Sequence, residues 1–376
     1  MAQSGPRRRF ENRLNCEQVF RMKIAVLPGE GIGPEIVEST LKVMNLVDAQ
    51  FGLGLSYEHH VVGLPSLAIH GTTFLPEVLE ACRAADGILL GPVSHQDYPM
   101  RAQGGINPSG ELRIQLDLYA NIRPSRSRSG IPHYGRTPMD LVIVRENTEG
   151  FYADRNMFSG SGEFMPTPDT ALAIRKITAK ASSRIARSAF ELAMQRRKHV
   201  TAVHKQNVMR VSDGLFLAEV RKVAAEFPEV QYDEQLVDSM AALLVRDAAK
   251  FDVVVTTNMF GDILSDEASE LSGSLGLAGS VNASATHCMA QASHGSAPDI
   301  EGKDLANPTS LLLSAAMLLD WLAIHHKNNA FHLAAQQIES AIDAVLRNPE
   351  LRTKDLGGPL GTKGFTNAIC LQMDHS

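Results

Sequence analysis

Three things are scarce in this sequence, and each scarcity excludes a class of protein. The 376 residues contain four cysteines, at positions 16, 82, 288 and 370. Their spacing matches neither a disulfide framework nor a zinc motif, which fits a protein of a reducing cytosol. No run of about 18 apolar residues occurs, so we expect no membrane-spanning helix. The formal net charge is −6, so no overall positive field attracts nucleic acid or an acidic membrane.

The bulk composition is that of a globular protein. Hydrophobic residues make up 44% and charged residues 21% of the chain, both ordinary values. The length is more than one hydrophobic core usually spans, and it predicts two domains. No internal repeat or low-complexity segment is evident. An anionic ligand would therefore depend on local arginines rather than on the overall charge.

The first 21 residues differ from the rest and predict a mobile N-terminal extension. Residues 7–9 are three arginines, and no apolar core of a secretory signal follows them. An organellar transit peptide is the alternative, but Glu11 and Glu17 count against it. The first strand signal begins only after Met22.

Strand and helix patterns alternate along the chain, which predicts an α/β sheet. Residues 23–27 (KIAVL) form a strand pattern, and a helical pattern follows at 35–47. The turn between them resembles a dinucleotide-binding fingerprint. However, Pro34 occupies the third glycine position, and no acid follows a second strand at the expected distance. We therefore expect a fold other than the standard Rossmann domain.

Two acids organise the most informative stretch, residues 251–274. A short strand pattern at 252–256 leads into a helical pattern that carries Asp262 and Asp266. Residues four apart share one helix face, and two such carboxylates repel unless a cation lies between them. Hard oxygen ligands suit magnesium or manganese. A solvated helix face near the positive end of the helix dipole is the alternative.

Several basic and acidic side chains lie near predicted element ends. Arg113, Arg123 and Arg145 can converge on carboxylates through paired hydrogen bonds, although each alone could be an unrelated surface arginine. Lys205 and Asp238 follow predicted strands. Ligand-binding groups collect at the carboxyl ends of strands in such sheets.

Six stretches, in order, resemble one family. They are LPGEGIGPE, LDLYANIRP, VRENTEGFY, HKQN, FDVVVTTNMFGDILSD and HGSAPDIEGKDLANP. Together they are similar to the β-decarboxylating dehydrogenases, which include isopropylmalate, homoisocitrate, isocitrate and tartrate/D-malate enzymes. The resemblance extends over about residues 23–373.

The resemblance implies a two-domain α/β fold with a mixed sheet flanked by helices. Residues 22–118 and 274–376 would form a cofactor-side domain. Residues 119–273 would form a dimerisation, metal and substrate domain, with an arm near residues 155–170. The active site would lie between the domains and would be completed by a second copy in a homodimer.

The resemblance also implies roles for individual residues. Lys205 would be the general base, Tyr152 the acid, and Asp238 would come from the second copy to join the metal ligands. Metal would bind Asp238, Asp262 and Asp266; substrate would bind Arg113, Arg123, Arg145 and Ser109; and cofactor would bind His294, Gly295, Ser296, Ala297, Asp299, Ile300 and Asn307.

The implied reaction is an oxidative decarboxylation of a 3-substituted (2R)-malate, of the isopropylmalate or homoisocitrate type, in the cytoplasm. It would need magnesium or manganese, with NAD as the oxidant. An acid at Asp299 suits the ribose diol of NAD and repels a 2′-phosphate, although the same residue could simply cap the turn after Pro298. No nucleic-acid partner is expected, because the basic residues 196–198 match a helix C-terminus.

Two departures from the family leave the substrate open. The family has Glu-Pro-Val where this chain has Gln-Ala-Ser at 291–293, a lost charge near the cofactor loop. Ser109 and Gly110 provide neither an apolar wall nor a cation for a side group, and Glu111 is expected to face solvent. Isocitrate, D-malate or tartrate are therefore alternatives. A catalytically idle regulatory subunit is another, which retention of every proposed catalytic acid and base disfavours.

Overall fold

The computed structural model describes residues 21–152, 154 and 156–374. The predicted extension of residues 1–21 lies outside this part of the chain, except for Arg21. A ten-stranded sheet forms the centre, in the order β2-β1-β3-β12-β11-β4-β5-β10-β8-β9. Its strands are β1 Met22–Leu27, β2 Leu55–His59, β3 Gly87–Leu90, β4 Ala120–Arg126, β5 Asp140–Glu146, β8 His199–His204, β9 Gln231–Leu236, β10 Val253–Thr256, β11 Val281–Ala283 and β12 Cys288–Gln291.

The sheet is mixed, as predicted. Strands β2, β1, β3 and β12 are parallel to one another, and so are β5, β10, β8 and β9. Between these groups the direction reverses at each step, because β11 pairs antiparallel with β12 and β4, and β4 pairs antiparallel with β5. This reversal distinguishes the sheet from the all-parallel Rossmann arrangement and brings opposite strand ends close together at the centre.

Helices cover both faces of the sheet. They are α1 Gly33–Phe51, α2 Leu64–His70, α3 Pro76–Ala84, α4 Pro108–Gln115, α5 Ala179–Met194, α6 Ser212–Ala224, α7 Val237–Asp247, α8 Asn258–Ser272, α9 Thr309–His326, α10 Asn329–Arg347 and α11 Thr362–Asp374. None of the helices in the described part of the chain combines the length and the apolar content that a membrane-spanning helix needs.

The apolar core falls into four clusters. Two of them draw mainly on the ends of the chain, around α1, α9, α10 and α11 and around β1, β3 and α3. The other two draw on the central segment, around α5 and α6 and around α7 and α8. The division into domains at residues 22–118 with 274–376 and at 119–273 stays a prediction.

Local sequence explains the element ends that matter for the site. Pro34 lies in the first turn of α1, where its missing N–H is no loss. Helix α8 buries Leu264 and Ala268 and leaves its other face, with Asp262 and Asp266, toward the reversed strands.

One predicted detail is wrong: Arg123 lies inside β4 and not near an element end.

A separate hairpin lies in the region predicted to be an arm. Strands β6 Glu163–Thr167 and β7 Thr170–Ala173 pair antiparallel and form their own two-stranded sheet. Every residue of both strands is exposed. Phe164, Met165 and Leu172 are among the large apolar side chains that solvent reaches, so the hairpin carries an uncovered apolar surface.

Candidate active site

Two arginines from neighbouring antiparallel strands face the two acids of α8. The guanidinium of Arg145 on β5 donates a hydrogen bond to Asp262. Nη1 of Arg123 on β4 lies 3.1 Å from Asp266 Oδ1 and 3.3 Å from Asp262 Oδ1. The structure therefore brings together four residues from three elements of the chain. Their two guanidinium groups lie against the two carboxylates.

Arg145 is the most enclosed member of this cluster, with 2% of its side chain exposed. Its Nε donates to Asn258 Oδ1 at 2.8 Å, and its Nη2 donates to the Tyr152 hydroxyl at 2.7 Å. The hydroxyl of Tyr152 in turn donates to Asp262 Oδ2 at 3.0 Å. Gly261 lies against the arginine, and a Cβ there would come within 2.7 Å of Arg145 Cβ. The glycine thus lets α8 approach β5.

The two acids on one helix face have opposite pKa shifts. Burial raises the pKa of Asp262, but the charges of Arg145 and Arg123 outweigh it, and the net pKa is lowered. Burial also raises the pKa of Asp266; Arg123 opposes this only in part and the charge of Asp262 adds to it, so the net pKa is raised. Burial likewise raises the pKa of the Tyr152 hydroxyl, which keeps it protonated.

Polar residues that the sequence pattern did not single out hold Arg123 in place. Its Nε donates to Asn121 Oδ1 at 2.6 Å, and its Nη1 donates to Ser265 Oγ at 2.8 Å. Asn121 also donates to Ser280 Oγ at 2.9 Å on the neighbouring segment. Asn121 lies inside the LDLYANIRP stretch, and its alternation with Arg123 on one strand face was the available signal.

Ser109 and Arg113, four apart on α4, meet at one acceptor. Ser109 Oγ donates to Gln291 Oε1 at 2.8 Å, and Arg113 Nη2 lies 3.3 Å from the same oxygen. The charge of Arg113 also contributes to the lowered pKa of Asp262, so the third arginine acts on the same cluster. The prediction that Glu111 faces solvent is wrong: its side chain is 12% exposed and accepts from Arg101 Nη1 at 2.9 Å.

Lys205 and Asp238 form a second, more open group. Lys205 follows β8, Asp238 lies in the first turn of α7, and Lys205 Nζ lies 2.5 Å from Asp238 Oδ1. Buried Asp213 accepts from the backbone N–H of Lys205 at 2.5 Å and pairs with Arg175. The hydrogen bond from Lys205 lowers the pKa of Asp238. This pair makes no contact with the acids of α8 within the one chain described.

The predicted cofactor loop is locked to the first turn of the chain. Ser296 O accepts from the backbone N–H of Ile32 at 2.8 Å, and Ser296 Oγ lies 2.7 Å from Ser94 Oγ. A Cβ on Gly31 would come within 2.1 Å of Ser296 O, so only glycine fits there. Ala297 adopts a left-handed backbone with φ of 39°.

The remaining predicted cofactor residues differ in their surroundings. Asp299 is exposed, and Ile300 packs against the core around α1 and α9. Asn307 donates to Asp355 Oδ2 and accepts from the Thr309 N–H, both at 3.0 Å. In the described part of the chain, the buried Nε2 of His294 has no hydrogen-bond partner, and a Cβ on Gly295 would meet open space.

Glu30 organises the turn beside this loop, and the sequence pattern gave it no role. Its carboxylate accepts from the Leu64 N–H at 2.5 Å, from the Ser94 N–H at 2.6 Å and from the Tyr98 hydroxyl at 2.7 Å. Because Ser94 also contacts Ser296, Glu30 supports the loop indirectly.

One chain supplies two acids, but no third protein ligand among the described residues, for a hard divalent cation. The side chains of Asp262 and Asp266 are 41% and 53% exposed, so their oxygens can reach a ligand. Carboxylate oxygens are what magnesium and manganese prefer. Among residues 21–374 without 153 and 155, no three acidic, histidine or cysteine side chains lie close enough to hold a metal. The predicted third carboxylate, Asp238, would come from a second copy.

The reversed centre of the sheet, where Arg123 and Arg145 face the paired acids Asp262 and Asp266, defines an α/β protein with a cluster of arginines and acids at its candidate site. The chain belongs to the isocitrate/isopropylmalate dehydrogenase family, whose model matches residues 23–369. This confirms the resemblance and the fold class, and it supports the predicted class of enzyme, an NAD-linked decarboxylating dehydrogenase.

Relatives agree on the family and differ in substrate. A 3-isopropylmalate dehydrogenase of Archaeoglobus fulgidus is 38% identical, over 94% of this chain and 99% of its own length. An isocitrate/homoisocitrate dehydrogenase of Thermus thermophilus is 41% identical, over 92% and 97%. The crystal structure of an isocitrate dehydrogenase from Methylococcus capsulatus superimposes with a TM-score of 0.82 at 36% identity, over 93% of this chain and 99% of that one.

Proposed function

We propose that the protein uses NAD and magnesium or manganese to oxidise and decarboxylate a 3-substituted (2R)-malate, of the 3-isopropylmalate or homoisocitrate type. The products are a 2-oxo acid and carbon dioxide. One observation carries the proposal: Arg123, Arg145 and Tyr152 surround the acids Asp262 and Asp266 in a single hydrogen-bonded cluster. The names of the relatives support this substrate class without choosing within it.

The arginines bind and orient the substrate. Arg113, Arg123 and Arg145 offer planar donors that match carboxylates. Each guanidinium is already fixed by a neutral oxygen, from Gln291, Asn121 and Asn258 respectively. Pre-positioned donors lose little freedom when the substrate binds. The proposed role of Ser109 is at the edge of this site, where its hydroxyl already bonds Gln291.

The chain would hold a divalent metal ion and NAD. Asp262 and Asp266, with Asp238 of a second copy, would hold the divalent ion, and residues 294–300 with Asn307 would hold NAD. When bound, the ion supplies a Lewis acid and NAD supplies the hydride acceptor. The exposed carboxylate of Asp299 favours NAD over a 2′-phosphorylated cofactor through charge repulsion.

Lys205 and Tyr152 handle the protons. Lys205 takes the proton of the substrate hydroxyl as that carbon is oxidised. Once carbon dioxide has left, Tyr152 gives a proton to the carbon that bore it. The Tyr152 hydroxyl suits this role because its pKa is raised by burial, and its neighbours Arg145 and Asp262 fix its direction.

A homodimer follows from the same arrangement. Lys205 and Asp238 are open to solvent in one chain, and the hairpin β6–β7 exposes Phe164, Met165 and Leu172. Pairing of two copies would cover this apolar surface and bring each Lys205 to the partner's acids. We also propose a cytoplasmic location, because the three cysteines in the described part of the chain are free; one relative is a mitochondrial isocitrate dehydrogenase subunit of Arabidopsis thaliana.

A catalytically idle regulatory subunit is the second candidate. It is disfavoured because Tyr152, Asp262 and Asp266 retain the contacts that catalysis would use. Isocitrate, D-malate and tartrate are the alternative substrates.

The deciding experiment is a substrate panel with the full-length protein, NAD and magnesium. The candidates are 3-isopropylmalate, homoisocitrate, isocitrate, D-malate and tartrate, and the absorbance of reduced cofactor is followed together with released carbon dioxide. Turnover of 3-isopropylmalate or homoisocitrate supports the proposal. No turnover of any diacid, with the metal bound, favours the regulatory subunit.

A further inference from the structure

We propose that a cavity on the other side of strand β4 from the candidate active site is a second binding site, and that it takes a small amine with an apolar body. The cavity has a volume of about 670 Å³, which lies in the range of small-molecule sites. Its walls come from strands β4, β5 and β11 and from helices α5, α9 and α10. The proposed reaction uses none of these side chains.

Strand β4 separates the cavity from the charge cluster on α8. Arg123 faces α8, where it donates to Ser265 and Asp266. Its neighbours Ile122 and Pro124 line the cavity instead, because successive side chains of a strand point to opposite faces. A ligand in the cavity would therefore lie behind the strand that carries a proposed substrate-binding arginine, without contacting the substrate.

The wall that α9 contributes is apolar. Leu313, Met317 and Trp321 follow one another at intervals of four residues, so they share one face of the helix, and all three line the cavity. Leu192 of α5 is a further lining residue. A ligand with an apolar body would remove these side chains from water, which favours binding.

Two acids lie at the polar end of the cavity. Glu339 lines it from α10, and in the described part of the chain its carboxylate has neither a hydrogen bond nor an ion pair. Asp320 lines it from α9, and its Oδ1 lies 2.7 Å from His332 Nδ1. Burial raises the pKa of both carboxyl groups. A nearby positive charge would offset this cost of burial.

Both arginines near Glu339 are directed at another acid. Arg126 and Arg128 each donate to Asp343. Their charges oppose the raised pKa of Glu339 only in part, and Asp320 and Asp343 add to it. The carboxylate of Glu339 thus lacks a hydrogen-bond donor, and a protonated amine supplies three donors and a positive charge.

The other cations of the lining do not favour an anion instead. Arg196 on α5 donates to Asp140 and to Asp252, so two acids already match its charge. Lys327 is exposed at the C-terminal end of α9. An anionic ligand would have to replace an existing ion pair or order a solvated lysine, whereas an amine meets an unpaired carboxylate.

The test uses Trp321, the single tryptophan of the sequence, as a reporter inside the cavity. Fluorescence of the full-length protein is titrated with hexylamine, hexanol and hexanoate, which have one apolar chain and different head groups. The titrations are made at mildly alkaline pH, where the amine is protonated and the carboxylates are ionised.

Three variants accompany the natural protein. Glu339→Gln keeps the shape of the side chain and removes its charge, and Asp320→Asn does the same at the second acid. Glu350→Gln, at an exposed position beyond α10, is the control for loss of one negative charge.

We expect hexylamine to change the fluorescence of the natural protein to saturation and to bind about tenfold more tightly than hexanol or hexanoate. Glu339→Gln should raise the Kd for hexylamine by about tenfold and leave the Kd for hexanol in place. Asp320→Asn should have a smaller effect, because one of its oxygens already faces His332. Glu350→Gln should bind like the natural protein.

Three results would overturn the inference: no saturable response to hexylamine, hexanol or hexanoate binding as tightly as hexylamine, or an unchanged Kd for hexylamine in Glu339→Gln. Failure of the proposed function would look different. The titrations contain neither NAD nor metal nor a diacid, so their outcome does not depend on whether the protein oxidises any substrate.

Discussion

The two groups of proposed catalytic residues are built in opposite ways. Around α8, Arg145 and Arg123 are 2% and 11% exposed. Arg145 pairs with Asp262, and Arg123 lies close to both acids. At the ends of β8 and β9, the side chain of Asp238 is 62% exposed and contacts only Lys205 among the hydrogen bonds and ion pairs described. One group is a closed charge network within a chain, and the other is a pair open on one side.

The difference indicates a different role for each group in the site. A closed network fixes its side chains before ligand binds, which suits residues that hold carboxylates and a cation. A largely solvated pair such as Lys205 and Asp238 gains little stability, so it leaves both side chains able to act on a neighbouring chain. The predictions below test whether the open pair serves the closed network of another copy.

The largest effect is expected from Asp262→Asn. The change removes a proposed metal ligand and leaves the buried charge of Arg145 without its carboxylate, so turnover should fall on the order of 10³-fold. Initial rates measured against magnesium concentration check this. Glu270→Gln, at an exposed position of the same helix, is the control and should have normal rates. Unchanged turnover at limiting magnesium would show that Asp262 is not a ligand.

Lys205→Met should reduce turnover by at least about 10²-fold, because the proton of the substrate hydroxyl has no acceptor. The ion pair with Asp238 is exposed, so the thermal transition should move little. Gel filtration is expected to show an unchanged oligomer.

Mixing the two inactive variants tests whether Lys205 of one copy acts on the acids of the other. If Lys205 serves the acids of the other copy, a mixed dimer of Lys205→Met and Asp262→Asn contains one intact and one doubly defective site. Random pairing in co-expression then restores about a quarter of the natural activity. If both residues serve the site of their own chain, each site has one defect and the mixture stays inactive.

The sequence predicted the charged residues of the closed network better than the polar residues that hold the arginines in place. Asp262 and Asp266 are local partners on one helix face, and Arg145 lies in the motif VRENTEGFY, so spacing and resemblance together indicated them. Asn121 is two residues from Arg123 on the same strand, whereas Asn258 and Gln291 contact their arginines across 113 and 178 residues of the chain. Such long-range contacts depend on the order of strands in the sheet, and no short pattern encodes them.

Buried carboxylates were equally hidden from sequence patterns. Asp213 and Glu30 are buried carboxylates that accept backbone N–H groups. In the sequence they look like ordinary surface acids of a helix start and a turn. Only the tertiary contacts reveal their burial. The same is true of Glu111, whose predicted exposure to solvent is wrong.

A smaller effect, on stability, is expected from Asp213→Asn. The fully buried Asp213 pairs with Arg175, itself 8% exposed, and holds the Lys205 N–H. Breaking a buried pair leaves an uncompensated charge, which should lower the free energy of unfolding by about 3 kcal/mol. Denaturant titration checks this. Glu226→Gln breaks the exposed pair with Arg187 and should leave the midpoint in place. Equal midpoints for both variants would mean that the buried pair is worth no more than the surface one.

The smallest effect is a pH dependence at the open pair. His204 precedes Lys205, and burial lowers its pKa, with Glu234 and Asp213 opposing only in part. The unfolded chain then binds a proton near pH 6.5 that the folded chain binds more weakly. The stability from His204 is therefore complete above that pH and is lost as pH falls toward the folded pKa.

His204→Asn should flatten this slope, which cannot exceed about 1.4 kcal/mol per pH unit for one proton. Asparagine can still accept the hydrogen bond that Gln206 N–H donates to Nδ1 at 3.0 Å, so the change removes the titration and little else. Unfolding free energies measured below neutral pH, with His70→Asn at an exposed position as the control, give the comparison. An equal slope in the natural protein and the His204 variant would assign the acid sensitivity to other groups.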